Sequence, residues 1–127
     1  MNKLKSIERS PFQKEIEIQN LVEKNVETLF GIELVSSEFK IGEFRIDTLC
    51  FDEETNSFVI IEYKKGSSYS VIDQGYSYLS KMLNNKDSFI LEYCKKKKVP
   101  VDVNIDWSQS RIIFVDRTGV EVYKTND

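Results

Sequence analysis

The stretch FVIIEYK, residues 58–64, decides the fold of this chain. Its first six residues form a nearly continuous apolar run of strand length, which is typical of a strand buried on both faces. The segment FRIDTLCF, residues 44–51, is also rich in strand-forming residues, and the polar residues 52–56 between the two segments favour a turn. A further strand is predicted over residues 32–41, before a turn at Gly42 and Glu43. Together these segments predict a β-meander.

Helices are predicted on both sides of this meander. Ser10-Pro11 is typical of a helix start, and apolar residues recur at helical spacing until Gly31, which suits a C-cap, so residues 11–30 are predicted to be helical. The apolar positions are Ile18, Leu21, Val22, Val26 and Leu29. A second helix is predicted over residues 69–83, after a loop at 64–68, and residues 87–94 are ambiguous.

Two more strands are predicted near the end of the chain, over residues 111–115 and 120–123, with a turn at residues 116–119. The order of elements is therefore α-β-β-β-α-β, followed by one more element. A meander joined to another strand through a helix predicts an α/β fold with a central mixed β-sheet flanked by helices. The length of 127 residues suits a single domain over residues 1–127.

Composition narrows the classes of function. The chain has no histidine, which excludes catalytic triads and zinc sites that depend on histidine. Its two cysteines, Cys50 and Cys94, are expected to be reduced thiols, and no apolar run approaches the length of a membrane span. We therefore expect a cytoplasmic protein with no membrane partner and no small-molecule organic cofactor. The net charge of −3 does not by itself indicate a nucleic-acid binder.

Two acids and a lysine interrupt the apolar strands. Asp47 and Glu62 lie in adjoining predicted strands, and Lys64 faces the same side as Glu62 because side chains alternate along a strand. If the strands pair, both carboxylates converge at one end of the sheet, where Mg²⁺ or Mn²⁺ would suit their hard oxygen atoms. A surface salt bridge between Glu62 and Lys64 is the other interpretation, and these residues alone leave both open.

A wider pattern resembles a known family. The segments RID at residues 45–47, IIEYK at 60–64 and QGYSYL at 74–79 resemble the PD-(D/E)XK nuclease superfamily, and are most similar to its NucS-like and RecB-like endonuclease domains. The resemblance covers residues 15–115 and also includes EIEIQNLVEKNVETLFG at 15–31 and IDWSQSRIIFV at 105–115. It implies a restriction-endonuclease-like fold and a Mg²⁺- or Mn²⁺-dependent nuclease. Ile46 departs from the proline in the motif's name.

The resemblance also implies roles for particular residues. It makes Asp47 and Glu62 metal ligands and Lys64 the catalytic lysine. It places Gln74 and Tyr78 on a helix that positions the site or the substrate. Members of the family often have a glutamate on the first helix. Glu15 is the first choice for this third ligand and Glu23 the alternative.

Three residues are candidates for contact with nucleic acid: Arg45, Lys65 and Tyr78. For Arg45, a salt bridge with Glu43 is the competing interpretation. Two interpretations of the lysine run at residues 95–98 stay open: it follows a nucleic-acid backbone, or it forms a solvated basic face.

The leading functional hypothesis is a metal-dependent DNA endonuclease that hydrolyses phosphodiester bonds, in DNA repair, restriction or defence against mobile elements. The alternative is a non-catalytic module with the nuclease fold that binds nucleic acid or protein. A homodimer would add DNA-binding surface to so small a domain. The chain can also be interpreted as a fragment of a longer protein.

Overall fold

The computed structural model describes residues 11–63, 71–98, 104–116 and 119–124. A five-stranded sheet with the order β1-β2-β3-β4-β5 forms its centre. All neighbouring strands are antiparallel except β3 and β4, which are parallel. The strands are β1 (Glu33–Ile41), β2 (Phe44–Asp52), β3 (Ser57–Tyr63), β4 (Arg111–Asp116) and β5 (Gly119–Lys124).

Four helices accompany the sheet: α1 (Pro11–Lys24), α2 (Val26–Phe30), α3 (Val71–Leu83) and α4 (Lys86–Lys97). The part of the chain between β3 and β4 contains α3, α4 and a short 3₁₀ helix, Trp107–Gln109, as a parallel strand pair requires. The predicted α-β-β-β-α-β order and the mixed sheet with flanking helices are therefore confirmed.

The prediction of one unbroken helix over residues 11–30 is wrong at Asn25. The Asn25 amide donates to the carbonyl of Leu21 at 2.7 Å, and its backbone N–H donates to the carbonyl of Val22 at 2.9 Å. A side chain that competes for backbone carbonyls in this way favours a helix end. The chain ends α1 here and restarts as α2, which stops at Gly31 with a left-handed φ of 68°.

The sheet separates two apolar clusters. Helices α3 and α4 pack on one face through Leu79, Met82, Phe89 and Tyr93, and helices α1 and α2 pack on the other through Val22 and Val26. Every residue of β3 is buried, as its apolar sequence predicts. The central strand therefore carries Glu62 between two covered faces.

Two details of the helices differ from the pattern in the sequence. Leu21 and Leu29, assigned to the apolar stripe of the first helix, are 63% and 54% exposed. The ambiguous residues 87–94 form most of α4, whose last turn contains Lys95, Lys96 and Lys97. Lysines at this position interact favourably with the helix dipole.

None of the helices described in the structure is long and apolar enough to cross a membrane.

Candidate metal centre

The regular backbone pairing between β2 and β3 ends next to the two predicted acids, Asp47 and Glu62. Ile46 and Leu49 pack in the same apolar cluster although they are three residues apart, so the strict alternation of β2 is interrupted between them. The regular register with β3 ends at the pair Thr48 and Ile61. Beyond this pair, side chains replace the backbone ladder.

The two carboxylates accept hydrogen bonds from each other's strand. The N–H of Asp47 donates to Glu62 Oε2 at 2.8 Å, and the N–H of Tyr63 donates to Asp47 Oδ2 at 3.3 Å. These reciprocal bonds hold two acids side by side where the sheet opens. The convergence expected from the sequence is therefore present.

A cavity of about 490 Å³ lies over this opening. Its lining unites six of the eight predicted site residues: Glu15, Arg45, Asp47, Glu62, Gln74 and Tyr78. Lys64 and Lys65 lie outside the described residues. Gln19, Glu38 and Lys40, which the sequence analysis did not select, also line the cavity.

Glu62 is the most deeply placed acid of the site, with 6% of its surface exposed. The hydroxyl of Tyr78 donates to its Oε1 at 2.8 Å. Burial, followed by the nearby charge of Asp47, raises the pKa of Glu62 to about 8. Without a bound cation this carboxyl is therefore largely protonated at neutral pH. Tyr78, predicted to contact nucleic acid, directs its hydroxyl at a carboxylate of the site.

Asp47 lies nearer the cavity mouth, with 13% of its side chain exposed. Its Oδ1 lies 3.2 Å from Nη2 of Arg45. Burial raises the pKa of Asp47, although the N–H of Tyr63 and the Arg45 guanidinium act in the opposite direction. Arg45 also pairs with Glu38. The salt bridge with Glu43 that the sequence suggested is replaced by salt bridges with Glu38 and Asp47. Glu43 lies in the turn, whereas Glu38 stands across the β1–β2 ladder.

Gln19 is a site residue that the sequence analysis missed. It is 9% exposed on α1, and its Nε2 lies 3.1 Å from the backbone carbonyl of Asp47, Glu23 Oε2 and Glu38 Oε2. All of these partners are acceptors, which fits the donor end of an amide. Its position one turn from both Glu15 and Glu23 was the available signal, since three polar residues at this spacing share one helix face.

The structure separates the two candidates for the helix glutamate. Glu15 lines the cavity. The carboxylate of Glu23 instead accepts from the hydroxyl of Thr48 at 2.6 Å, and that hydroxyl lies 2.9 Å from the hydroxyl of Tyr63. Glu23 is therefore engaged by the sheet, whereas Glu15 faces the candidate site.

The residues present fit a hard divalent cation. Asp47 and Glu62 supply two converging carboxylates whose mutual repulsion a cation would offset, and Mg²⁺ commonly uses one or two carboxylates together with water and phosphate oxygens. Among the described ranges, no three acidic, cysteine or histidine side chains form a metal-binding group. Glu15 as a third ligand stays a prediction.

The raised pKa of Glu62 predicts a pH-dependent stability in the absence of metal. The protonated carboxyl favours the folded state, so its contribution is fully present below pH 4.5, falls as pH rises, and is lost above about 8. At about 1.4 kcal/mol per pKa unit, the shift from 4.5 to about 8 corresponds to a loss on the order of 5 kcal/mol. Urea unfolding of the wild type and Glu62→Gln from pH 5 to 9 checks this, because the glutamine variant lacks the titration. Parallel curves would show that Glu62 titrates normally.

Comparisons with known proteins give two matches. No family model matches the chain. An uncharacterized protein from Haemophilus influenzae is 51% identical over 113 residues, which are 88% of this chain and 37% of that protein. The crystal structure of a repair endonuclease from Pyrococcus abyssi can be superposed with a TM-score of 0.44 and 22% sequence identity. The superposition covers 89% of this chain and 40% of the endonuclease chain. The chain thus spans less than half the length of either protein.

Proposed function

We propose that this chain is a metal-dependent nuclease domain that hydrolyses phosphodiester bonds in DNA with Mg²⁺ or Mn²⁺. The observation that carries the proposal is the pair of largely buried carboxylates, Asp47 and Glu62, fixed side by side in an open cavity by hydrogen bonds to each other's strand. A folded protein that only needed stability would gain little from two adjacent buried acids.

The chain's residues divide the work of such a site. Asp47 and Glu62 would hold the cation, which supplies charge stabilisation and a water of lowered pKa. Tyr78 fixes the orientation of the Glu62 carboxylate through its hydroxyl. Gln19 fixes the backbone of Asp47 through its carbonyl. Both acids are thus held in place before a substrate arrives, which lowers the cost of reorganisation.

Three further roles follow from the family pattern. Lys64, two residues after Glu62, would orient the attacking water or stabilise charge on the phosphate. Glu15 and Gln74 line the same cavity and would support the metal or its water ligands. Lys65 would contact the DNA backbone.

A non-catalytic module is the second candidate function. The net charge of −3 favours it, because DNA-binding surfaces are usually basic. Among the described residues, no three acidic side chains lie close enough together to hold a metal ion, which favours it as well. Such a module would retain the fold and bind nucleic acid or protein without cutting.

Incubation with DNA separates the two candidates. Plasmid, single-stranded, branched and mismatched DNA are incubated with the 127-residue chain in Mg²⁺, in Mn²⁺ and in EDTA. We expect metal-dependent cleavage of at least one of these substrates, with cleavage lost in Lys64→Ala. Lys124→Ala, which removes an exposed lysine at the end of β5, is the matched control and should cut like the wild type. DNA binding without cleavage in either metal would favour the non-catalytic module.

A further inference from the structure

Arg45 bridges two carboxylates at the wall of the cavity. Its Nη2 lies 3.2 Å from Oδ1 of Asp47, and its Nη1 contacts Oε1 of Glu38. The other oxygen of Asp47, Oδ2, accepts the N–H of Tyr63 at 3.3 Å. The guanidinium therefore contacts the carboxylate oxygen of Asp47 that does not accept the N–H of Tyr63.

The ion pairs of Arg45 are weak enough for a stronger counter-ion to displace the guanidinium. The side chains of Arg45 and Glu38 are 47% and 49% exposed, whereas that of Asp47 is only 13% exposed. Ion pairs with half-exposed partners are weak, because water screens them and both long side chains lose freedom when they pair. A divalent cation with two carboxylate ligands is a stronger counter-ion for Asp47 than this guanidinium.

We propose that Arg45 is the resident counter-ion of the metal-free site and that it leaves Asp47 when a divalent cation binds. Its guanidinium holds the Asp47 carboxylate in place before the cation arrives, and it competes with the cation for Oδ1. Arg45 is thus a positioning residue that weakens metal binding in the absence of substrate. The inference rests on the proposed metal site at Asp47 and Glu62.

Lys40 provides a matched control. It is the register partner of Arg45 on the neighbouring strand, is exposed and lines the same cavity. Between these two cations, the one found in an ion pair with Asp47 is Arg45. Replacing either residue by glutamine removes one positive charge from the same cavity, so a difference between the two variants reports the contact and not the net charge.

Calorimetric titration with Mn²⁺ in the absence of DNA tests the inference. The wild type, Arg45→Gln, Arg45→Lys and Lys40→Gln are compared as full 127-residue chains. We expect Arg45→Gln to bind Mn²⁺ about two- to fivefold more tightly than the wild type, in line with the strength of an exposed ion pair. Lys40→Gln should stay closer to the wild type. Arg45→Lys should fall between the wild type and Arg45→Gln, since it keeps the charge and loses the fork.

A second readout needs no metal. Arg45→Gln should melt at a lower temperature than Lys40→Gln in EDTA, because Asp47 then loses the guanidinium that pairs with it. If the wild type binds Mn²⁺ and Arg45→Gln binds it no more tightly than Lys40→Gln does, the inference fails while the metal site stands. If neither the wild type nor Arg45→Gln takes up Mn²⁺, the metal site and the inference fail together.

Discussion

Replacing Asp47 with asparagine is expected to lower DNA cleavage by at least about 100-fold at saturating Mg²⁺. The amide oxygen can still accept the N–H of Tyr63, so the strand ends keep their geometry. The variant loses the negative charge that would hold the cation, and this single change carries the expected effect. Initial rates of cleavage on the substrate that the wild type cuts best provide the measurement.

Asp52→Asn is the matched control for this substitution. Asp52 lies on the same strand as Asp47 and is 7% exposed. Its Oδ2 lies 2.9 Å from Nη2 of Arg111, and neither residue lines the cavity. Breaking this pair is expected to destabilise the fold, because it leaves Arg111 with a weaker partner. At a temperature where both variants are folded, Asp52→Asn should cut at nearly the wild-type rate. Equal rates for Asp47→Asn and the wild type would remove Asp47 from the metal site.

Replacing Phe58 with alanine is expected to lower the free energy of unfolding by about 3–5 kcal/mol. Phe58 is fully buried on β3. Its ring lies 5.2 Å from that of Phe51, 5.7 Å from that of Phe89 and 5.6 Å from that of Trp107, measured between centroids. The cavity left behind would remove aromatic contacts to β2, α4 and the 3₁₀ helix together. Urea unfolding monitored by circular dichroism gives the value.

Leu29→Ala is the comparison for Phe58→Ala. The sequence places Leu29 on the apolar stripe of the first helix, whereas the structure leaves 54% of it exposed. We expect its loss to change stability by no more than about 0.5 kcal/mol. A cost for Leu29→Ala that approached the cost for Phe58→Ala would contradict the placement of α2 on the sheet.

Much of the fold could be predicted because the strands have strong local signals. The apolar run at residues 58–63 can be satisfied only where both faces are covered, and two helical layers do cover it. The polar turn at residues 52–56 then requires β2 to lie beside β3. These two facts bring Asp47 near Glu62, so the central pair of the candidate site also followed from the sequence.

The breaks in regular structure could not be predicted from periodicity. Asn25 ends α1 through a local side-chain bond that the apolar pattern does not register. The interruption of alternation beside Asp47 likewise depends on bonds between strands. Residues 87–94 were ambiguous because the buried members of α4, Phe89, Tyr93 and Cys94, are too few for a clear stripe.

The polar contacts that hold Asp47 in place could not be predicted from the sequence either. A glutamine on a helix is usually solvated, so the burial of Gln19 among acceptors from α1, β1 and β2 depends on the tertiary fold. Arg45 has acidic residues on both sides in the sequence, and the sheet register decides which of them it meets. Partners that come from three different elements leave no signal in any one of them.

The site also explains why a proton and a cation would compete for it. Burial keeps Glu62 largely protonated at neutral pH in the metal-free protein, and a cation would bind its ionised form. Metal uptake near pH 7 would therefore be accompanied by proton release. The same burial that destabilises the ionised pair would strengthen the electrostatic effect of a bound cation.

The most direct test of the central claim is an anomalous difference map from crystals soaked in Mn²⁺. We expect a peak between the carboxylates of Asp47 and Glu62, within about 2.0–2.3 Å of one oxygen of each. A second acidic pocket, lined by Glu27, Glu33, Glu53 and Glu54, offers the ion another location in the same crystal. A peak in that pocket, with none between Asp47 and Glu62, would contradict a metal site at these two carboxylates.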